Sequence, residues 1–435
     1  MRTTTWWRWM VALVALALVL GACGGAADEG AEGGGGDSED AAAAQDVTSE
    51  SATAAGAEAP EGEPIVIGGT LGLTGAFSGP SAGYRAAYEF WAEQVNAEGG
   101  LLGRPVELLI YDDESTPGTA QTLYQRLINE DQVDLLLAPY TTFVGGAILP
   151  IVENNEMMLF NGGFVGIDLF TNSDWMVGTF TYQEPDYPRG VFEMIDALPE
   201  DQKPQRIGIA TAQNPFTLLV RDGYEGEGGV KNFAEERGID IVVDEEYAAE
   251  ATDVTGIIQR AQAQDVDLFF ALALPNDAAL LARTAQNVGF SPDIYCSCGS
   301  QVTSLPYWKD LGAAGDGVMS TAMSWPTDDY PGLDELTEYA QTELDYEEVP
   351  VYLTGGYAIM QVLQEAVEEV GEIDQAALRD YVTNRTIETV VGPITYDENR
   401  IPEYSSILVQ YRGDHNEVVW PPDRASSDPQ VPMDG

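Results

Sequence analysis

Short apolar runs alternate with amphipathic stretches along most of this chain, and the series restarts half-way. Ile65-Val66-Ile67 reads as a strand broken by Gly68-Gly69. Tyr84 to Asn96 reads as a helix, with Ala87, Phe90, Trp91 and Val95 at helical spacing and Gly99-Gly100 as its stop. A strand over 106–111 follows, then a helix over 117–129 with Pro117 in its first turn. Strand 133–137, helix 145–154 and strand 157–160 complete the first series. After Pro185 come helix 187–198, strand 206–210, a mostly helical 217–237, strand 239–243, helix 252–264 capped by Asp253, strand 268–272, helix 277–288 and strand 293–296. A strand over 318–321, helices over 333–344 and 354–370, and strands and turns over 392–419 remain. Strands alternating with helices imply a parallel sheet covered on both faces. About 370 folded residues exceed what one core usually holds, so two α/β lobes are expected.

Two segments precede this body. Arg2 and Arg8 lie before or at the start of a hydrophobic segment whose apolar run, Met10 to Leu20, leads into Leu20-Gly21-Ala22-Cys23. A basic start, an apolar middle and small residues before a cut describe a secretion signal. The run is short for a membrane span, which needs roughly 20 residues. Leu-Gly-Ala-Cys resembles the lipobox of bacterial lipoproteins, which implies a lipidated Cys23 as the first mature residue. Residues 24–63 hold Gly, Ala, Ser and acids, without Lys, Arg or aromatics, and are expected to stay disordered as a spacer.

The formal net charge is −53, and residues 24–63 hold only 11 of the 72 acids. So acidic a body lacks the clustered Lys and Arg that phosphate binding needs, which excludes nucleic acid as a partner. The charge fits a solvated, soluble surface, a high-salt habitat or a cationic ligand. Beyond Cys23 only Cys296 and Cys298 remain, as free thiols, a bridge or a metal contact. Two residues apart, they can lie within the ~4.4–6.8 Å Cα range of a disulfide. A zinc site is not expected, because there is no second Cys pair and His415 is the only histidine.

Four motifs carry a family resemblance. They are the run Gly69-Thr70-Leu71-Gly72-Leu73-Thr74-Gly75-Ala76-Phe77-Ser78-Gly79, the run 95–104 followed by 111–115, the stretch 133–142 with its loop Pro139-Tyr140-Thr141-Thr142, and Val391-Gly392-Pro393-Ile394-Thr395-Tyr396-Asp397-Glu398. In this order, over about 65–420 and behind a lipobox, they resemble the solute-binding proteins of ABC importers in the leucine/isoleucine/valine-binding group. The resemblance implies a type I periplasmic binding fold, two Rossmann-like lobes joined by a three-segment hinge. Lobe one is then 64–184 with 325–391, lobe two 185–324 with 392–425, and 426–435 a tail.

The resemblance also implies a site. Thr141-Thr142 lie where a strand ends and a helix begins, where free N–H groups and the helix dipole favour an anion. The family's ligand carboxylate lies there, and Thr142 matches the hydroxyl residue. The loop Asn161-Gly162-Gly163 supplies the second contact, its glycines letting a ligand approach the backbone. Phe77, Tyr140, Phe143, Phe216 and Trp325 are candidates for an apolar wall. The family places an acid for the ligand's ammonium where this chain has Cys298, and Val165 stands where a hydroxyl is common. Either Glu184 or Asp186 serves instead, or the ligand has no ammonium and is a small carboxylate, an aromatic acid or an amide.

Three function classes follow. The first is a tethered receptor that delivers a small amino acid or related carboxylate to a membrane permease. The second is a sensor with the same lobes. The third, an enzyme, has little support: Gly69, Gly72 and Gly75 miss G-x-G-x-x-G, and a Ser-His-Asp triad would need His415 in a turn. No cofactor and no catalytic residue are expected, and the chain is expected to be a monomer that captures its ligand by reversible hinge closure.

Overall fold

The computed structural model describes residues 60–249, 251–298, 302–305, 307–346 and 348–433. The expected signal, the lipidated Cys23 and nearly all of the spacer lie outside them. Two parallel-rich sheets organise the body. The first is five-stranded in the order β2-β1-β3-β4-β5, with β1 at Ile65–Leu71, β2 at Val106–Asp112, β3 at Leu135–Leu137, β4 at Leu159–Asn161 and β5 at Met176–Gly178. Every pair in it is parallel, and Ile67 of β1 sits opposite Leu108 and Leu135. The second has seven strands in the order β14-β13-β10-β9-β8-β6-β7. Its parallel part is β6 (Arg206–Ala212), β7 (Asp240–Tyr247), β8 (Leu268–Leu272), β9 (Ile294–Cys296) and β10 (Met319–Ala322). The hairpin β13 (Ile407–Arg412) and β14 (His415–Trp420) adds antiparallel on β10.

β1 does not break at Gly68-Gly69, as its sequence suggests, but continues to Leu71. A Cβ on Gly68 would lie 2.7 Å from a methyl of Val133. The glycines let side chains press onto the strand rather than ending it. α1 (Ser78–Ala97) begins six residues before the predicted helix and takes Pro80 into its first turn, where a proline costs no hydrogen bond. α2 (Pro117–Asn129) has the expected limits, and α3 runs from Thr142 to Asn155. The stretch 217–237 is two helices, α6 (Pro215–Asp222) and α7 (Gly229–Arg237), parted by a turn. Asp253 accepts the Thr255 N–H at 2.9 Å at the entry to α8 (Thr255–Ala263). α4 (Ile167–Thr171), β5 and α12 (Gln375–Thr383) carry too little periodicity to read from sequence.

The chain passes between the sheets three times. After β5, residues 179–188 lead to α5 (Arg189–Ala197), which packs on β13. After β10 the chain returns to α10 (Leu333–Glu343) and α11 (Val351–Val370). Tyr339 of α10 stacks on Phe90 of α1, centroids 4.2 Å apart, and α11 lies along α1. After the small hairpin β11 (Ile387–Thr389) and β12 (Gly392–Ile394) it crosses again to β13. The first and third crossings are tied together. Ser405 N–H donates to Thr181 O at 2.8 Å, the Thr181 hydroxyl donates to Ser405 O, and Tyr396 Oη donates to Gly178 O at 2.9 Å. The residues after β14 dock on lobe two, where Met433 N–H donates to Asp293 O at 2.9 Å. No helix among the described residues is long and apolar enough to cross a membrane.

Candidate ligand-binding site

Parallel sheets bind ligand beyond the carboxyl ends of their strands. Here those ends lead into α3 from lobe one and α6 from lobe two, and the two helices touch. At the start of α3, Thr141 holds φ 90° and ψ 159°, a region that only glycine adopts without strain. Its hydroxyl accepts the Phe143 N–H at 3.2 Å, so the Thr141 side chain caps α3. The Thr142 hydroxyl donates to Val165 O at 2.7 Å. The expected role of Thr142 was a hydroxyl donor to a carboxylate. With its hydrogen turned to Val165, it offers a ligand its lone pairs, and donors for an anion are left to the N–H groups of the helix start.

The loop after β4 is shaped by its own packing. Asn161 is fully buried; its Oδ1 accepts the N–H of Gly163 and of Phe164, each at 3.0 Å, and its Nδ2 donates to Phe164 O at 2.9 Å. A Cβ on Gly162 would lie 2.6 Å from Gly355 O, and one on Gly163 2.3 Å from Pro139 O. These glycines bring the loop against α11 and against the α3 corner. Asn161 therefore shapes the loop with three of its hydrogen bonds, and a fourth donates to Met176 Sδ at 3.6 Å.

Aromatic rings cluster on each side. Phe77 meets Tyr140 edge-on at 5.7 Å. Tyr140 contacts Tyr84 of α1 at 5.5 Å and Tyr352 of α11 at 5.6 Å. Phe216 of α6 is edge-on to Tyr187 at 5.0 Å, and Tyr187 to Tyr182 at 4.7 Å. Asn214 caps α6 by accepting the Phe216 N–H at 2.9 Å. Burial, followed by the nearby Tyr140 phenol, pushes the Tyr84 hydroxyl well up in pKa, so it is a neutral donor. Tyr182 is likewise held neutral by burial. The buried hydroxyls of Tyr84, Tyr182 and Ser81 have no hydrogen-bond partner among the described residues. Such groups are costly to leave unpaired and are met by a polar ligand at low cost. The sequence reading did not single out Tyr84, Tyr182, Tyr187 or Tyr352. The signal lay in the density of tyrosine, rather than phenylalanine, on apolar faces.

Phe143 does not join the aromatic wall but stands 53% exposed. Trp325 lies elsewhere, in a cluster with Ala322, Ile407, Val409 and Val418 on the lobe-two sheet. Cys298 is buried just beyond β9 and bonded to Cys296, with Cα atoms 5.4 Å apart. Of the three readings of the pair, the structure has the bridge. Asp186 pairs with Arg189, while Glu184 is fully buried and pushed up by that burial to about 7. Among the described residues, no group of three or more His, Cys, Asp or Glu is placed to hold a metal.

The model of the periplasmic binding proteins matches residues 64–416. The chain belongs to the periplasmic binding protein family. This binding protein is 24% identical over 403 residues to Leu/Ile/Val-binding protein homolog 7 of Brucella abortus, spanning 88% of this chain and 98% of the relative. Its fold matches the branched-chain amino acid transporter substrate-binding protein LivJ of Streptococcus pneumoniae, solved with isoleucine, at TM-score 0.68 and 16% identity, over 82% of this chain and 100% of that one. It also matches a solute-binding protein of an ABC transporter from Rhodopseudomonas palustris, solved with benzoate, at TM-score 0.69 and 16% identity, over 85% and 99%. The two-lobed α/β architecture is thus that of the type I periplasmic binding proteins in the Leu/Ile/Val-binding group.

Proposed function

We propose that this binding protein is the extracytoplasmic receptor of an ABC importer. It captures a small amino acid, branched-chain or otherwise hydrophobic, or a related carboxylate, and hands it to a membrane permease. Binding is reversible hinge closure without chemistry. Lobe one holds the ligand at the start of α3 and the 161–165 loop, and lobe two closes over it through Phe216 and the Tyr187 segment. The observation that carries the reading is the contact of α3 with α6, together with the unpaired buried phenols of Tyr84 and Tyr182. Contacts made only when both lobes engage the ligand shift the population toward the closed form. Lipidation of Cys23 tethers the mature protein, with residues 24–63 as a spacer, and it acts as a monomer. The bridged Cys298 carries no charge where the family keeps an acid, which favours an aromatic acid or an amide as the second ligand class.

A thermal-shift screen of amino acids, aromatic acids and amides at low and high salt tests the reading. A captured ligand raises the melting temperature with concentration, by mass action on the folded state. A flat response across the panel at millimolar concentration counts against a receptor for small carboxylates.

A further inference from the structure

We propose that Glu184, in the first hinge crossing, is the counter-charge for a protonated amine on the ligand. This rests on the receptor reading of the cleft and names a residue for its cation. Glu184 is fully buried; its Oε2 accepts the Ile167 N–H at 3.1 Å, and its Oε1 has no partner among the described residues. A buried carboxylate lacking a cation is expensive, and the usual remedies are a partner or a proton.

Among the described residues, the cations on the elements that pack against this segment have acidic partners of their own. Of the groups facing Glu184, Asp168 of α4 and Asp186 beside it are both acids and disfavour its charge. Arg189 of α5 pairs with Asp186. On α6 and α7, which pack on this segment, Arg221 pairs with Asp222 and Glu246, and Lys231 with Asp222 and Asp244. That leaves a proton in the free protein, and in the proposal the ligand's ammonium when it binds.

One loop ties Glu184 to the start of α3. Thr142 bonds Val165 O at 2.7 Å, Gln183 Oε1 accepts the Gly166 N–H at 3.0 Å, and Glu184 takes Ile167. Thr142 Oγ1, Val165 O and Glu184 Oε1 are all acceptors in this arrangement, a set suited to the three donors of an ammonium. The N–H groups at the start of α3 suit a carboxylate. Glu184 bonds lobe one while its segment packs on α6 of lobe two, so cation recognition and closure involve the same residue.

The test uses matched pairs that differ only in the ammonium: L-leucine with 4-methylpentanoate, and L-phenylalanine with 3-phenylpropanoate. Each is titrated calorimetrically into the full secreted chain and its Glu184→Gln variant, which has the shape of the neutral acid. The wild type is expected to bind the amino member of at least one pair tenfold or more tightly. Glu184→Gln should cut that affinity at least tenfold and erase the preference. Amino-acid affinity in the wild type should also rise from pH 6 to 8. Only the carboxylate pairs with ammonium, and burial holds the free group near 7, so ionisation rises through this window. The slope, and the proton released on binding, should vanish in Glu184→Gln. If the variant folds poorly, a wild type without the preference or without the pH slope still overturns the assignment. Equal or tighter binding of the acids lacking nitrogen, or an unchanged preference in the variant, overturns the assignment while the receptor reading stands. Failure of both pairs, benzoate and simple amides to bind overturns both.

Discussion

In lobe one, β3 runs through Pro139-Tyr140-Thr141 into α3; in lobe two, β6 runs through Gln213-Asn214 into α6. Both helices are capped by a side-chain oxygen two residues back, Thr141 onto Phe143 and Asn214 onto Phe216. The lobe-one corner carries a threonine in a strained backbone and another whose hydroxyl reaches the next loop. The lobe-two corner has Pro215 in the first turn, which removes one N–H, and then a phenylalanine. The same local geometry therefore makes a polar corner in one lobe and a more apolar one in the other. Strain of about 1–3 kcal/mol is retained at Thr141 where binding is expected, and none is present at Asn214, whose φ is −150°.

That asymmetry can be broken from either side. The largest effect is expected from Thr141→Ala/Thr142→Ala, which removes the cap and the bond to Val165. Affinity for the ligand found by the screen should fall by about 2–3 kcal/mol, the range for hydrogen bonds to charged groups, when read by calorimetry. Unchanged affinity would remove the α3 corner from the site. Tyr84→Phe comes next. Its hydroxyl is unpaired within the protein, so the variant should melt no lower than wild type yet bind about tenfold more weakly, or ~1.4 kcal/mol. Equal affinity would mark the phenol as core. Asn214→Ala should have the smallest effect on binding, within about twofold, while loss of the cap costs roughly 1 kcal/mol of stability in denaturant melts. An affinity loss rivalling that of the threonine variant would erase the distinction between the corners.

The sequence carried much of the lobe-one corner. Thr141 and Thr142 stand at a strand-to-helix break, and the break is visible because Leu135–Leu137 and the apolar face of α3 differ in period. The glycines at 162 and 163 were legible as a close approach, but what approaches is Gly355 and Pro139 of the chain itself. Tyr84 was hidden because a helix face that meets other tyrosines has the same period as one that meets aliphatic core. Trp325 was misplaced for the opposite reason: an aromatic just after a crossing strand looks like a cleft residue until β13 and β14 cover it. The bridge at Cys296 and Cys298 depends on how β9 ends, which residue spacing leaves open.

Closure of the two lobes on a small ligand is the central claim. It is tested most directly by small-angle scattering of the free protein and of the protein saturated with the ligand that the thermal screen selects. The account predicts a smaller radius of gyration with ligand, and no such change for Thr141→Ala/Thr142→Ala at the same ligand concentration. Identical scattering for the free and saturated wild-type protein would contradict it.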